Sequence, residues 1–162
     1  MSLQKILAGT GVALVTPFRS NAEVELEALG KIIDHVINGG VEYVVTLGTT
    51  GETPTLSREE KMAIIRYTCE KVAGRVPVVV GIGGNDTMAL LKDLETFPLD
   101  KSVAILSASP YYNKPSQEGL YQHYKMLAAA SPKPIILYNV PGRTGRNINA
   151  ATTIRLANEV KN

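Results

Sequence analysis

The stretch Tyr43-Val44-Val45-Thr46-Leu47-Gly48-Thr49-Thr50-Gly51-Glu52 decides how this chain is read. Its first half is apolar and β-branched without alternation, the pattern of a strand buried on both faces. Its second half sets two adjacent hydroxyls between two glycines. A plain strand-to-helix connection needs no such pairing. Similar apolar runs occupy residues 11–16, 76–82, 103–107 and 134–139, and helical patterns fill the gaps between them. Leu26, Leu29, Ile33 and Val36 recur at spacings of three and four and stop at Gly39-Gly40. Ser57 with Glu60 makes a capping box, ahead of an apolar stripe of Met62, Ile65, Cys69 and Val72. Asp86, Ser116 and Asn149 stand where N-caps belong for helices over 87–97, 117–130 and 150–160.

The order is thus strand then helix, five times over. Such a repeat implies an α/β fold with a parallel sheet covered by helices. A doubly wound open sheet would carry its phosphate loop after the first strand, but here Thr16-Pro17-Phe18 follows, with no glycine loop. A (β/α)8 TIM barrel instead spreads its chemistry over the C-terminal ends of many strands. That matches the tips found here: GTTGE (48–52), GIGGND (81–86), SPYYNKPS (109–116) and YNVPGRTG (138–145). A barrel of about 250 residues allots roughly 156 to five units of eight. The 162 residues present therefore predict one partial barrel domain, 1–162, that stops before strand six.

Composition narrows the class. With 44% hydrophobic and 20% charged residues, the chain reads as an ordinary globular protein. A net charge of +2 with scattered basic residues gives no stripe for nucleic acid and no membrane-binding patch. The first apolar run is broken by Gly9, Thr10 and Gly11 and is too short to span a bilayer. The single Cys69 fits a reducing compartment, so a cytoplasmic location is expected. No segment has metal-ligand spacing, and His35 and His123 fall in helices without sequence-local partners, so neither reads as a catalytic base.

Four segments carry candidate chemistry. Gly48 and Gly51 let backbone N–H groups approach a ligand, and the hydroxyls of Thr49 and Thr50 add donors, a set suited to a small carboxylate. The same residues also read as a helix cap. Tyr138 sits at the mouth of a buried strand, where a phenol passes protons when its neighbours bond to it; a half-buried core tyrosine is the alternative. Arg143, in a Pro/Gly-fixed loop, is mounted to grip a carboxylate or simply faces solvent. Tyr111 and Tyr112 lie in a loop pinned by Pro110 and Pro115, suiting a pocket or a subunit contact. GIGGND lacks the spacing and position of a dinucleotide fingerprint.

These segments, in this order, resemble the dihydrodipicolinate synthase family of class I pyruvate-dependent aldolases, which also include N-acetylneuraminate lyases. The likeness begins at GVALVTP (11–17), and PYYNKPSQEGLYQHY (110–124) with YNVPGRTG is closer to the synthase branch. The resemblance implies condensation of pyruvate, held as a Schiff base on a lysine, with L-aspartate 4-semialdehyde. The product is 4-hydroxy-tetrahydrodipicolinate, on the route to lysine and diaminopimelate. It implies that GTTGE and Thr50 hold pyruvate's carboxylate, and that Thr49, Tyr138 and Tyr112 relay protons, Tyr112 across a dimer interface. Arg143 corresponds to the residue that grips the aldehyde substrate's carboxylate. No cofactor is implied, and the assembly expected is a dimer of dimers.

Two departures accompany the resemblance. The family's nucleophilic lysine lies on strand six, a few residues beyond Asn162. Lys114 is in an exposed loop and Lys161 is near the end of the last helix, so this chain alone is expected to be inactive. At the positions of the family's lysine-effector pocket stand Arg58, Lys61 and Ala89, beside a matching Asn85 and Tyr111. Two cations and a missing carboxylate suit a cationic amino acid poorly, so weak feedback by lysine is expected. The alternatives to the synthase are another pyruvate aldolase or lyase, and a non-catalytic half-barrel that binds or assembles.

Overall fold

A computed structural model describes residues 2–162. The chain forms two compact units. One runs to Gly81 and takes in Pro98–Ala104; the other holds Ile82–Phe97 and Ile105–Asn162.

The first unit begins with the short helix α1 (Leu3–Ile6) and strand β1 (Gly11–Ala13), then α2 (Leu26–Asn38), β2 (Tyr43–Thr46), α3 (Arg58–Val72) and β3 (Val78–Gly81). Two 3-10 turns, Thr49–Gly51 and Thr53–Thr55, lie between β2 and α3. The strands pair in parallel, with Val12 opposite Val44 and Val45 opposite Val79. Apolar side chains of α2, α3 and these strands close the core around Leu29, Ile33, Val44, Ile64, Ile65, Val72 and Val79. Gly30 on α2 leaves room for a side chain of α3: a Cβ there would stand 2.4 Å from the Tyr67 hydroxyl. The capping box at α3 is fully formed, Ser57 accepting from the Glu60 N–H while Glu60 accepts from the Ser57 N–H. The buried stripe of α3 differs from the one predicted. It runs through Ile64, Ile65, Thr68, Cys69 and Val72, and Met62 is only half-buried.

The second unit contains α4 (Thr87–Thr96), all but the first residue of β4 (Ala104–Ala108), α5 (Gln117–Ala130), β5 (Ile135–Tyr138), the single turn α6 (Pro141–Thr144) and α7 (Ala150–Glu159). Here β4 and β5 pair in parallel from Ile105 opposite Ile135 to Ala108 opposite Tyr138. Leu90, Leu94, Ile105, Leu120, Tyr124, Leu127 and Leu156 fill its core. The Tyr121 ring is buried under the Arg155 guanidinium, 3.5 Å from the ring centroid, and its hydroxyl donates to Glu159 at 2.6 Å, which docks α7 on α5.

The architecture is therefore α/β, with strands in chain order, parallel pairing throughout the described ladders and helices between successive strands. The expectation of strands buried on both faces holds for β3, buried at every position, and not for β1 or β5. Among the described residues β1 has only β2 as a neighbour and β5 only β4, so each has one side without a ladder there and its residues are half-buried or exposed. β1 is also three residues shorter than predicted. Its ladder makes one further bond, Leu14 N–H to Val45 carbonyl at 2.9 Å, before Val15 turns out, 46% exposed. A second correction concerns Asn149, whose side chain makes no cap bond to α7. The neighbouring Gln117 carboxamide accepts from the Asn149 N–H and the Thr152 hydroxyl at 3.0 and 2.6 Å.

Candidate functional site

The seven candidate residues divide between the two units. Gly48, Thr49, Thr50 and Gly51 belong to the first, and Tyr112, Tyr138 and Arg143 to the second.

In the first unit, β2 ends at Thr46 and the chain turns sharply at Leu47, a buried non-glycine with φ of 55°. That left-handed conformation disfavours an L side chain, so neighbours must hold it. The Thr53 hydroxyl lies 2.7 Å from the Leu47 carbonyl and 3.0 Å from that of Gly48. From the other side, β3 passes so close that a Cβ on Gly81 would stand 1.9 Å from the Leu47 carbonyl oxygen. The turn itself closes through Gly51 N–H to Gly48 carbonyl at 2.9 Å and Glu52 N–H to Thr49 carbonyl at 3.2 Å. A 3-10 turn bonds each N–H to the carbonyl three residues back, so the Thr49 and Thr50 N–H groups have no acceptor inside it. Both threonines are exposed, while Gly48 and Gly51 are buried. A Cβ on Gly48 would meet only the Val45 side chain, at an ordinary 3.6 Å. The fold of this unit does not by itself require glycine there.

Sequence reading named the loop and missed what holds it. Leu47, Thr53, Gly81 and Thr16, whose buried hydroxyl donates to the Gly51 carbonyl at 2.7 Å, are the supports. Thr16 was visible as the residue closing the first apolar run. Gly81 was visible only as part of a glycine-rich string.

That string is explained by packing. A Cβ on Gly83 would stand 3.0 Å from the Ala108 backbone nitrogen, and one on Gly84 3.3 Å from Leu90. Asp86 caps α4, accepting from the N–H groups of Met88 and Ala89 at 3.0 and 3.2 Å.

In the second unit, Tyr138 is the last residue of β5 and half-buried. Arg143 lies on α6 and is exposed, while the next residue, Thr144, is buried. Tyr112 is 88% exposed and has φ of 67°, and Lys114 has φ of 47°. The loop after β5 is brought against the loop after β4: the Arg146 guanidinium donates to the Lys114 carbonyl from Nη2 at 3.0 Å and from Nε at 3.3 Å. Gln117 donates to the Asn147 carbonyl at 2.8 Å, and Asn139 links to Asn147 at 2.7 Å and to the Ile148 N–H at 3.0 Å. The structure thus ties the segments bearing Tyr112 and Arg143 into one network.

His123 gains a partner that sequence proximity did not reveal. Its Nδ1 is 2.8 Å from the Thr87 hydroxyl, 36 residues away. Burial pushes its pKa down to about 4, and its Nε2 is buried without a partner. Burial also pushes the adjacent Tyr124 up to about 12, its hydroxyl donating to the Ser107 carbonyl at 3.1 Å. Among the described residues no group of three or more His, Cys, Asp or Glu is placed to hold a metal ion, and no helix is long and apolar enough to cross a membrane.

Comparison with known proteins gives this geometry its context. The sequence pattern of the dihydrodipicolinate synthetase family matches residues 6–162. The chain is 56% identical over 154 residues to the 4-hydroxy-tetrahydrodipicolinate synthase of Flavobacterium psychrophilum, covering 95% of this chain and 53% of that protein. It is 54% identical over 156 residues to the synthase of Parabacteroides distasonis, covering 96% and 52%. Among solved structures, the chloride-inhibited dihydrodipicolinate synthase of Acinetobacter baumannii complexed with pyruvate is similar at 42% identity and a TM-score of 0.92, covering 96% of this chain and 53% of that one. The Thermotoga maritima dihydrodipicolinate synthase is similar at 41% identity and a TM-score of 0.90, covering 96% and 52%. The chain spans about half the length of these relatives. With the family pattern running through nearly all of its residues, the chain belongs to the dihydrodipicolinate synthetase family.

Proposed function

We propose that this chain contributes the pyruvate-holding and proton-relaying part of a Schiff-base synthase that joins pyruvate to L-aspartate 4-semialdehyde, giving 4-hydroxy-tetrahydrodipicolinate. One observation carries the reading: the family pattern covers residues 6–162 and takes in all seven candidate residues. In this reading the five strand–helix units are the first part of an eight-stranded barrel. The nucleophilic lysine comes from a sixth strand, in the half of the relatives' length that this chain does not span.

The chemistry asked of each residue follows from its setting. An imine forms and breaks through several proton transfers, and hydroxyl groups move protons without placing a fixed charge beside the lysine. The exposed Thr49 hydroxyl, with Tyr138 and Tyr112, takes that task. The open N–H groups at Thr49 and Thr50, the Thr50 hydroxyl and the space over Gly48 receive pyruvate's carboxylate. Arg143 supplies a forked donor for the carboxylate of the aldehyde substrate. A tyrosine 88% exposed in a left-handed conformation suits a side chain delivered to a second copy, so the assembly proposed is a homo-oligomer of the dimer-of-dimers type. The proposed location is cytoplasmic.

Borohydride trapping tests this reading. The 162-residue chain, and the same chain extended by a relative's second half, are each treated with pyruvate and borohydride and weighed intact. An adduct on the extended form alone supports the reading. No adduct on either form, or one on Lys114 of the shorter chain, overturns it.

A further inference from the structure

We propose that Arg146 is the positioning residue for Tyr112, acting through a hydrogen-bonded clamp on the loop that carries the phenol. This rests on the reading above that Tyr112 takes part in proton transfer.

Two of the three residues from Tyr112 to Lys114 hold φ values of the left-handed region, 67° at Tyr112 and 47° at Lys114. Neither is glycine, so the segment relaxes unless outside contacts hold it. Its own bonding is local: the Asn113 N–H reaches the Tyr111 carbonyl at 2.7 Å. Two ties come from elsewhere. Asn113 Nδ2 donates to the Asn85 carbonyl at 2.9 Å, ahead of α4. Arg146 donates two N–H groups to the Lys114 carbonyl at 3.0 and 3.3 Å. Tyr112 precedes both tie points and is held by them.

Arg146 is itself held at its base. The buried Thr144 hydroxyl donates to the Arg146 carbonyl at 2.8 Å and accepts from its N–H at 3.4 Å. Gly145, between them, has φ of 67°, and a Cβ there would stand 3.4 Å from Lys114 Cε. Gln117, in the first turn of α5, fixes the following segment through Asn147, Asn149 and Thr152. The guanidinium therefore projects from an anchored turn onto a strained one. An arginine keeps its charge across the working pH range, so the clamp does not open by titration.

The test uses the 162-residue chain labelled with 3-fluorotyrosine and read by fluorine NMR. There are seven tyrosines, and a Tyr112→Phe variant assigns the Tyr112 signal. In Arg146→Ala the Tyr112 signal is expected to change, narrowing toward the linewidth of free fluorotyrosine as its backbone is released, while the others hold. Arg146→Lys, which keeps the charge and one donor but loses the fork, is expected to fall between. A Tyr112 signal that is unchanged in Arg146→Ala overturns the proposal. So does a common shift of all tyrosine signals, which would make Arg146 a support of the whole fold, or a lysine variant no better than alanine. Pyruvate trapping is read separately. Its failure leaves the response of Tyr112 to Arg146 intact, and an unresponsive Tyr112 signal leaves the trapping result intact.

Discussion

The buried hydroxyl of Thr16 donates to the carbonyl of Gly51 at 2.7 Å, joining the exit of β1 to the turn that carries Thr49 and Thr50. The bond spans 35 residues and satisfies a carbonyl on a buried glycine. Replacing Thr16 by valine keeps the shape and removes the donor. An unsatisfied buried acceptor costs about 1–3 kcal/mol. The expected outcome is an unfolding free energy lowered by that amount, seen as a lower urea midpoint at unchanged slope, with faster amide exchange at Gly51 and Glu52 than at the core of α3. An unchanged midpoint and unchanged exchange would show that the turn stands without Thr16.

Gly81 sets a harder limit. A methyl group there would press on the Leu47 carbonyl oxygen at 1.9 Å, and that oxygen is fixed from the other side by Thr53. Neither partner is a flexible side-chain end, so β2 and β3 must separate. Gly81→Ala is expected to cost about 3 kcal/mol or to prevent folding, the upper range for overpacking. Gly48→Ala meets only ordinary contact and is expected to leave the thermal midpoint within about 2 °C, since a few tenths of a kcal/mol moves it little. Thermal melts of the two variants check the contrast.

Local pattern and chemistry were legible in the sequence where the determinants were local. The apolar runs located all five strands, and Ser57 with Glu60 located the start of α3, because a capping box is written within four residues. The glycines and hydroxyls of GTTGE named a ligand-sized turn. What the sequence did not display was contact between distant residues: Leu47 against Gly81, Thr16 against Gly51, His123 against Thr87 and Arg146 against Lys114. No periodicity encodes those. Asn149 does not cap α7 because its side-chain oxygen turns instead toward Asn147, accepting from Nδ2 at 3.4 Å, in a segment that Gln117, 32 residues earlier, holds by the Asn149 N–H.

That difference between two caps can be measured. Ser57→Ala removes a side chain that accepts from the Glu60 N–H, and the expected loss is about 1 kcal/mol. Asn149→Ala removes a side chain that caps nothing in α7, so the expected loss is no more than about 0.5 kcal/mol, the usual range for a surface change. Equal losses in denaturant titrations would mean that Asn149 caps α7 in solution.

His123 gives the chain a pH dependence. Burial holds it neutral with a pKa of about 4, against 6.5 in the unfolded chain. Between those values the unfolded state binds a proton that the folded state does not, so stability falls as pH drops from 6.5 toward 4 and is fully retained above that window. At about 1.4 kcal/mol per pH unit, the loss across the window is roughly 3 kcal/mol. His123→Gln has no proton to take up, so subtracting its profile from that of the parent should leave a slope confined to this window. Parallel profiles for the two proteins would mean that His123 titrates alike in both states.

The two threonines of GTTGE offer the sharpest separation of roles. Both are exposed, so their hydroxyls contribute little to the fold, and Thr49→Val and Thr50→Val are expected to melt with the parent. In a polypeptide of the relatives' length, the proposed roles pull the kinetic constants apart. A hydroxyl that bonds pyruvate's carboxylate in ground state and transition state alike sets KM, and a hydrogen bond to a charged group is worth about 1.5–3 kcal/mol, or roughly 10- to 150-fold. Thr50→Val should therefore raise KM for pyruvate by that order with kcat little changed. A hydroxyl that passes protons acts in the transition state, and its loss costs about 10²–10⁴-fold in kcat. Thr49→Val should lower kcat by that order with pyruvate's KM nearly preserved. If both variants change the same constant by the same factor, the adjacent hydroxyls share one role and the division between carboxylate and proton is wrong.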